Sequence, residues 1–331
     1  MADVDTCVVF NSTAGRGRGH RRMESLRHHL GKRAVFWPTR APGDAEELAH
    51  KAATNGFAVV GAAGGDGTVH EVANGILRAA RPDVTLAVYP IGSANDYAHT
   101  LNLEPEWWLH SDQTSGVRPV DVGLVRSDTG RQRYFVNGLG LGFNGAITME
   151  SRRIHWLQGV PLYGLAMLRV LCFRFRTPVM SISIDGNARR AATLALTLAI
   201  GRREGNFVVA PDAMVDDGLF DFLHAGGLSR WQVVSRIPGL ISGKLRLEHP
   251  LIWSGRCRQA AVHSETPLIV HVDGEMFSEP KDKVYALEVG ILPSALRVQT
   301  PIYPAQTSLP AFRAPPFLRA TPDKGQIPDN R

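Results

Sequence analysis

The chain has 331 residues, of which 44% are hydrophobic and 21% are charged, a balance that supports two globular domains and excludes disorder for most of the chain. Three widely separated cysteines exclude a disulfide-rich scaffold and make a structural zinc site unexpected. The net charge of +6 favours an anionic partner such as a nucleotide, a nucleic acid or an acidic membrane surface.

The first third of the sequence alternates predicted strands and helices. Apolar runs predict strands at residues 6–10, 34–37, 57–62 and 84–89. Helices are predicted at 21–30, from Asp44 to a stop at Gly56, and at 69–80. Strands that alternate with helices through short connections predict a parallel sheet with helices on both faces. We place this α/β domain at residues 1–119.

A β-rich second domain follows, which we place at residues 120–293. Its strands are predicted at 120–125, 133–137, 179–184, 192–200, 219–223, 260–263 and 268–272. Helical insertions are predicted at 154–174 and 229–242. Residues 301–331 are polar, rich in proline and without periodicity, so we expect a largely disordered tail there.

The sequence Gly64-Gly65-Asp66-Gly67-Thr68 lies between a predicted strand and a predicted helix. Glycines let the backbone approach a phosphate group closely, and a helix N-terminus offers free N–H groups. Asp66 repels a bare phosphate, so it indicates a bound Mg²⁺ or an orienting role. Glu71 is expected on the first turn of the helix, facing the same cleft. The pattern predicts a phosphate-binding loop.

Two further loops follow predicted strands of the same sheet. Gly92-Ser93-Ala94-Asn95-Asp96 comes after the strand at 84–89, and Asn11–Gly15 comes after the first strand. Ser93 can donate to a phosphate, and Asn95 and Asp96 can bind a ligand or cap a helix. Because the carboxyl ends of parallel strands meet at one edge of a sheet, the loops predict a nucleotide crevice.

The turn Asp273-Gly274-Glu275 ends the strand predicted at 268–272. Two carboxylates on a turn can supply a general base for a hydroxyl group. An Asp-Gly pair is also typical of an ordinary turn, and taken alone this second interpretation is favoured.

These segments occur in one order along the chain, together with three others. The full set is Asn11–Gly15, Gly64–Thr68 with Glu71, Gly92–Asp96, Asp121 in VDVG, Ala210–Ala213, Asp216–Leu219 and Asp273–Glu275. The set resembles the diacylglycerol kinase catalytic-domain family, in particular the bacterial soluble lipid kinases akin to sphingosine kinases. The resemblance covers about residues 4–299. It implies an α/β nucleotide-binding domain like that of NAD kinases and phosphofructokinases, a β-sandwich lipid-binding domain, and a strand at 294–300 that returns to the first domain.

The resemblance also implies roles for single residues. The implied ATP contacts are Asn11, Ser12, Thr13, Ala14, Gly15, Thr39, Gly65, Asp66, Gly67, Thr68, Val69, His70, Glu71 and Ser93, with Asn95 and Asp96 beside them. A structural Mg²⁺ would be held by the side chain of Asp217 and the backbone carbonyls of Met214 and Leu219. Glu275 is implied as the proton acceptor, with Asp273 as its rival and Asp66 as a further catalytic residue. Ser12 and Ala14 depart from the Pro and Ser that the family often has.

We therefore predict an ATP- and Mg²⁺-dependent kinase that acts on a lipid hydroxyl. The rival predictions are a kinase of a soluble substrate, such as an NAD kinase, and a catalytically silent nucleotide- or membrane-binding regulator. The Asp-Gly-Glu turn and the β-rich insertions argue against the first, and the intact carboxylates argue against the second.

The expected lipid partner lies at an anionic membrane surface. No stretch of the sequence approaches the roughly 20 apolar residues of a spanning helix, and no secretion signal is visible. We therefore expect a cytoplasmic protein, peripheral at the inner membrane face. Trp107-Trp108 and the Arg- and aromatic-rich residues 152–175 are candidates for membrane contact. No recognition motif accompanies the basic residues, so nucleic acid is not an expected partner, and a homodimer is left open.

Overall fold

The computed structural model describes residues 4–14, 16–110, 115–157, 159–241 and 249–301. Its N-terminal strands are β1 (Thr6–Phe10), β2 (Ala34–Pro38), β3 (Val59–Gly64) and β4 (Thr85–Pro90). They form a parallel sheet in the order β2-β1-β3-β4. The strands are continuous apolar runs because both faces of the sheet are covered, and Val8, Val60 and Leu86 are fully buried.

Helices connect these strands in turn. They are α1 (Arg16–Leu30), α2 (Asp44–Thr54) and α3 (Asp66–Arg78), and α4 (Asp96–Thr100) follows β4. Helix α3 begins three residues earlier than predicted, so Asp66 lies in its first turn. The sequence pattern missed these residues because Gly67 is a poor helix former and apolar periodicity starts only at Val69.

The second part of the chain is antiparallel. Its first set of strands is β5 (Ser115–Ser127), β6 (Gln132–Phe135), β7 (Gly138–Gly142), β8 (Val179–Ile184), β9 (Asn187–Ala192) and β10 (Ala195–Ala199). The remaining strands are β11 (Arg203–Glu204), β12 (Phe207–Val208), β13 (Phe220–Ala225), β14 (Ile252–Cys257), β15 (Gln259–Ser264), β16 (Val270–Val272), β17 (Glu275–Ser278) and β18 (Ala286–Pro301). One sheet has the order β14-β13-β10-β7-β16-β17.

Helices α5 (Phe143–Ser151), α6 (Val160–Phe173), α7 (Arg230–Val234) and α8 (Ile237–Ile241) are inserted between the strands of this second part. Helix α6 buries Ala166, Met167, Val170 and Leu171. Leu168 faces outward instead and is 56% exposed. The fold class is the predicted one, an α/β domain followed by an antiparallel β-sandwich.

Two strands join the domains. Strand β18 runs antiparallel to β5 and β15, and its residues Arg297 and Val298 pair in parallel with β4. One sheet is therefore continuous from β2 at one edge to β9 at the other. Strand β5 crosses the predicted boundary at 119/120, and the predicted return strand at 294–300 lies within β18. Residues 302–331 lie outside the described residues, so the disordered tail stays a prediction.

Strand β7 was absent from the sequence prediction. Its sequence, GLGLG, is typical of a turn, yet it forms the centre of the second sheet between β10 and β16. A Cβ on Gly140 would lie 2.1 Å from Nε2 of His271, so the glycine is needed for close packing. Among the described residues, no helix is long and apolar enough to cross a membrane.

Candidate functional site

The loops after β3 and β4 lie in backbone contact. The N–H groups of Ile91 and Gly92 both donate to the Gly64 carbonyl, at 3.0 and 2.9 Å. A Cβ on Gly92 would lie 2.4 Å from the Cα of Gly65, so the close approach requires glycine there. Helix α3 begins at this contact, and no side chain caps its N-terminus. The first-turn N–H groups are thus available to an anion such as a phosphate.

Two carboxylates, Asp66 and Asp96, face each other at this edge. Asp66 Oδ1 accepts from the N–H of Tyr97 at 3.1 Å, and both oxygens of Asp96 accept from the N–H of Asn206 at 3.2 Å. Burial raises the pKa of Asp66 to about 6, and the charge of Asp96 adds to the effect. Burial also raises the pKa of Asp96. Nε of Arg203 lies 3.6 Å from Oδ1 of Asp96, so a divalent cation beside Asp66 stays a prediction.

The first loop lies at the same edge. Oδ1 of Asn11 accepts from the N–H and the hydroxyl of Thr13 at 2.9 and 2.7 Å. The N–H of Asn11 donates to the carbonyl of Ala63, and the N–H of Thr39 donates to the carbonyl of Phe10. These bonds bring the predicted nucleotide contacts Asn11, Thr13 and Thr39 to the carboxyl ends of β1 and β3.

The other predicted nucleotide contacts vary in exposure. Ser12 and Ser93 have exposed side chains, whereas Thr68 and Val69 are buried. Ala14 and Asn95 are half-buried, and the side-chain amide of Asn95 donates to the carbonyl of Gly92 at 2.9 Å. Gly15 lies outside the described residues.

Glu71 has protein partners for both of its oxygens. Oε1 accepts from the N–H of Gly43 at 2.9 Å, and Oε2 accepts from the N–H of Ala45 at 3.0 Å. Its carboxylate therefore caps helix α2, where a negative charge is favourable, and ties the chain after Thr39 to α3. We predicted that Glu71 faces the nucleotide cleft. Local sequence could not indicate its contact with the N-terminus of α2, because Ala45 lies 26 residues earlier in the chain.

The ring of His70, another predicted nucleotide contact, is 1% exposed. Its Nδ1 lies 2.8 Å from Oδ2 of Asp273. The ring thus packs against the second domain instead of opening into the nucleotide crevice.

The carboxylate of Asp273 has four hydrogen-bond partners within the protein. Besides the bond to His70, its oxygens accept from the N–H groups of Val136, Asn137 and Gly138 at 3.0, 2.8 and 2.9 Å. Burial by itself would raise the pKa of Asp273, but the hydrogen bonds from His70 and the backbone outweigh it and leave the pKa below its ordinary value. A carboxylate with four donors has little capacity left for a substrate proton.

Glu275 is the more accessible carboxylate of the turn, with 46% of its side chain exposed. A Cβ on Gly67 would lie 3.1 Å from its Oε1, so Glu275 lies directly against the N-terminus of α3. Oε2 lies 3.0 Å from Nη1 of Arg152. The sequence prediction missed this arginine as a partner, because nothing local distinguishes it from the neighbouring basic residues.

At the predicted structural metal site, two neighbouring carboxylates each have an oxygen without a hydrogen-bond donor. Oδ1 of Asp217 accepts from the N–H of Leu219 at 3.1 Å, while Oδ2 is buried without a hydrogen-bond donor, as is Oδ2 of Asp221. Burial raises the pKa of Asp217, and it raises that of Asp221 to about 6. Arg256 lies 3.5 Å from both carboxylates. The guanidinium of Arg256 already faces Oδ2 of Asp217, so the cation implied at Asp217 and the backbone carbonyls of Met214 and Leu219 stays a prediction. No cluster of three or more His, Cys, Asp or Glu side chains suited to a metal occurs in the described ranges.

A cavity of about 240 Å³ opens between the two domains. At the nucleotide edge it has an acidic end, lined by Asp66, Asp96, Asp273 and Gly274. Its interior lies within the sandwich and is lined mainly by apolar side chains, among them Phe143, Ile147, Met167, Ala195, Leu223 and Ile237. One cavity is therefore lined both by carboxylates of the nucleotide edge and by apolar side chains of the sandwich.

Comparison with known proteins places the chain in a family. Residues 5–125 match the model described as "Diacylglycerol kinase catalytic domain", and residues 138–300 match "YegS C-terminal NAD kinase beta sandwich-like domain". A Pseudomonas aeruginosa protein named "Probable lipid kinase YegS-like" is 31% identical over 301 residues, 88% of this chain and 91% of that protein. The chain belongs to the diacylglycerol kinase family.

Other members of the family show similar coverage. A protein of Mycobacterium tuberculosis named "Diacylglycerol kinase" is 27% identical over 303 residues, 89% of this chain and 94% of that protein. The crystal structure of a diacylglycerol kinase from Bacillus anthracis superposes with a TM-score of 0.66 at 20% identity, covering 91% of this chain and 97% of that one. Yeast NADH kinase shares the fold at a TM-score of 0.51 and 10% identity, covering 91% and 84% of the two chains.

One expected membrane contact of this family member is part of the core. Trp107 and Trp108 are buried, and Nε1 of Trp107 donates to the carbonyl of Val88 at 2.8 Å. Both indole rings pack on Tyr89, with centroids at 6.0 and 5.6 Å. Sequence pattern alone did not separate this pair from the exposed aromatic residues Trp156 and Trp231.

Proposed function

We propose that the protein transfers the γ-phosphate of ATP to the hydroxyl group of a lipid alcohol, such as a diacylglycerol or a sphingoid base. The observation that carries the proposal is the cavity, whose lining joins an acidic end at the nucleotide edge to an apolar interior. The relatives named diacylglycerol kinase support the same class of substrate.

The cavity suits a molecule with one polar end and one long apolar chain. Burial of each CH₂ group contributes about 0.8 kcal/mol, so the apolar interior favours a hydrocarbon chain over a soluble metabolite. The polar head of such a molecule would remain at the acidic end, beside Asp66 and Asp96 and next to the turn that carries Glu275. A soluble phosphate acceptor would gain nothing from the side chains around Met167 and Leu223.

Glu275 is our candidate for the proton acceptor. Its side chain is 46% exposed, it directly follows Gly274, which lines the cavity, and it lies against the N-terminus of α3. As the hydroxyl oxygen attacks, Oε1 would take its proton, while the first-turn N–H groups of α3 would hold phosphate oxygens. Arg152 orients the carboxylate from its other side. Asp273 keeps the turn in place and takes no proton.

Bound ATP and Mg²⁺ would supply the transferred phosphoryl group and neutralise its developing charge. Asp66 and Asp96 are the residues that would hold the catalytic metal, and Asn11, Thr13, Thr39 and Ser93 are those that would bind the nucleotide.

We propose further that the lipid enters from an anionic membrane surface. Large apolar side chains are exposed at Trp156, Phe173 and Trp231, at 76%, 83% and 82%. Three partly exposed arginines, Arg153, Arg169 and Arg174, surround the buried Glu150 and leave a net positive cluster beside them. Helix α6, which carries part of both groups, also lines the cavity.

The test is a transfer assay with γ-labelled ATP and Mg²⁺ against lipid alcohols in mixed micelles and against soluble hydroxyl compounds that include NAD. We expect label in one class of lipid alcohol and none in the soluble panel, and loss of labelling in Asp66→Ala. Label found only in NAD would replace the lipid kinase by a soluble-substrate kinase. Nucleotide binding without transfer to any acceptor would favour a silent regulator.

A further inference from the structure

A chain of polar contacts crosses from one domain to the other beneath the active site. Oε2 of Glu46 on α2 lies 2.5 Å from Nη1 of Arg133 on β6. Nε of Arg133 donates to Nε2 of His70 on α3 at 3.0 Å, and Nδ1 of His70 lies 2.8 Å from Oδ2 of Asp273. The residues come alternately from the first and the second domain, so each contact bridges the two.

The contact with Arg133 fixes the proton on the ring of His70. A guanidinium group has only donors, so Nε2 of His70 must accept and carry no proton. The amide nitrogen of Asn74, 3.5 Å from the same ring atom, is also a donor. The proton therefore resides on Nδ1, which donates it to Asp273, and the ring is neutral.

Because Asp273 begins the turn that leads to Glu275, its position also determines the position of that turn. Asp273 has a positive φ of 51°, and Gly274 follows with a φ of 81°. Both values suit the type I′ turn that an Asp-Gly pair forms between two antiparallel strands. Three backbone N–H groups from residues 136–138 and the ring of His70 fix the Asp273 side chain, and with it the position of this turn relative to α3. The direction in which Glu275 leaves the turn depends on those four bonds.

We propose that His70, held in one tautomer by Arg133, is a positioning residue that sets the distance between Glu275 and the N-terminus of α3. The proposal rests on the proposed function and deepens it, because it names how the acceptor side of the site is aligned with the nucleotide side. Loss of the Nδ1 donor frees the turn, and a misplacement of about 1 Å at a reacting group costs about 10²-fold in rate.

The first experiment compares His70→Ala with His70→Asn. The side-chain amide of Asn can place an N–H near the position of Nδ1, so it restores the bond to Asp273 without the ring. We expect His70→Ala to lower kcat by about 10- to 100-fold with little change in the KM for ATP, and His70→Asn to recover most of the loss. The matched control is His224→Ala, a buried histidine bonded to Thr193 in the sandwich, which should keep its kcat. Equal kcat losses in His70→Ala and His70→Asn, or no loss in either, overturn the proposal.

The second experiment combines His70→Ala with Glu275→Gln. If His70 acts through Glu275, its removal in the Glu275→Gln background should change kcat by less than about twofold, since contacts that act as one unit are not additive. If His70→Ala lowers kcat by the same factor in the wild-type and the Glu275→Gln backgrounds, His70 supports the fold in general and not this carboxylate.

A third experiment does not depend on turnover. In ¹⁵N-histidine NMR spectra of the wild-type chain, we expect His70 as a neutral ring with its proton on Nδ1, and loss of that single tautomer in Arg133→Met. Amide exchange at residues 136–138 should accelerate in His70→Ala and not in His224→Ala. A proton on Nε2, or unaltered exchange, overturns the positioning contact. A wild-type chain that labels no hydroxyl compound but passes both measurements overturns the proposed function and leaves the interdomain contact standing.

Discussion

At the scale of single residues, the site is built from four carboxylates in three different environments. Asp96 is buried and Asp66 beside it is largely enclosed by protein, so burial raises the pKa of both carboxylates. Asp273 is fully hydrogen-bonded, and Glu275 is exposed. The neighbours of each carboxylate therefore decide its role, which is anchor for Asp273, proposed metal ligand for Asp66 and Asp96, and proposed base for Glu275.

Asp66→Asn should stabilise the fold while it abolishes turnover. Burial raises the pKa of Asp66 from 3.8 to about 6, so the folded state binds the proton more tightly than the unfolded state. Stability from this group is full below about pH 4 and is lost as the pH rises through 6. At pH 7–8 without Mg²⁺, the neutral amide should raise the free energy of unfolding by up to about 3 kcal/mol.

Thermal melts of Asp66→Asn and wild type between pH 4 and 8 check this expectation. The gain in Tm should be largest at pH 8 and vanish near pH 4. The control is Asp83→Asn, an exposed aspartate paired with Arg81. A gain that does not depend on pH would show that the charge of Asp66 carries no cost.

The sequence pattern predicted the site residues on loops that follow strands, because glycine-rich turns and carboxylates are easily recognised at the ends of predicted strands. It indicated Asp66, whereas for Asp273 and Glu275 it favoured an ordinary turn, and only the resemblance to the family implied Glu275 as the proton acceptor. Neither could tell that Asp273 is an anchor. That role depends on His70 and on backbone groups some 135 residues away. Arg133 has no local pattern at all and is found only through its contacts.

At the scale of elements, strand β10 and helix α6 form facing walls of the cavity. Ala195 on β10 and Met167 on α6 both line it. Ala195→Phe should fill much of the interior, and phenylalanine is well tolerated in strands. We expect a large rise in the KM for a long-chain lipid, unchanged ATP binding and stability that is equal or higher.

Ala261→Phe on β15 is the matched control, since Ala261 is exposed and does not line the cavity. Lipid kinetics and isothermal titration with ATP check both variants. Normal lipid kinetics in Ala195→Phe would mean that the apolar chain binds elsewhere.

Elements with strong apolar periodicity were predicted from the sequence, whereas the glycine-rich strand β7 was not. Strand β8 has the predicted bounds, and the turn at Asp185 and Gly186 closes its hairpin with two positive φ values, as a type I′ turn requires. Strand β7 was missed because glycine has a low strand propensity, although Gly140 is needed there to leave room for the His271 ring. The burial of Trp107 and Trp108 was missed for a related reason, since a pair of aromatic residues fits a core and a membrane surface equally well.

At the scale of the whole molecule, strands β5 and β18 hold the domains together, and the predicted metal site lies beside them. Asp121 on β5 accepts from the N–H groups of Gly218 and Ser294 at 2.7 and 2.8 Å. A cation bound at Asp217 would therefore stabilise the junction between the domains.

Mg²⁺ should raise the Tm of the wild-type chain, and Asp217→Ala should remove that rise. A ligand at 100 times its Kd adds about 2.7 kcal/mol to the stability of the folded state. Asp216→Ala is the control, because Asp216 pairs with Arg118 at 2.7 Å and is not among the predicted ligands. Calorimetry with and without Mg²⁺ makes the comparison, and an equal rise in all three proteins would place the bound cation elsewhere.

Membrane binding should be peripheral and sensitive to salt. Charges near a surface are screened beyond about 8 Å at physiological ionic strength, so vesicle binding through the arginine cluster should weaken as salt increases. Trp231→Ala should reduce binding to anionic vesicles, whereas Tyr285→Ala, at a less exposed aromatic residue beside β18, should not. Vesicle co-sedimentation measures both. Equal binding to neutral and anionic vesicles at every salt concentration would contradict the proposed surface.

The most direct test of the account is lipid phosphorylation by Glu275→Gln beside Asp273→Asn. Glutamine keeps the size of Glu275 and loses its basicity, so the rate of transfer from γ-labelled ATP to lipid should fall by about 10²- to 10⁴-fold while the Kd for ATP stays the same. Asp273→Asn should instead lower the rate together with the amide protection of residues 136–138. If Glu275→Gln labels lipid at the wild-type rate, Glu275 is not the base, and if both variants do so, the turn has no part in the reaction.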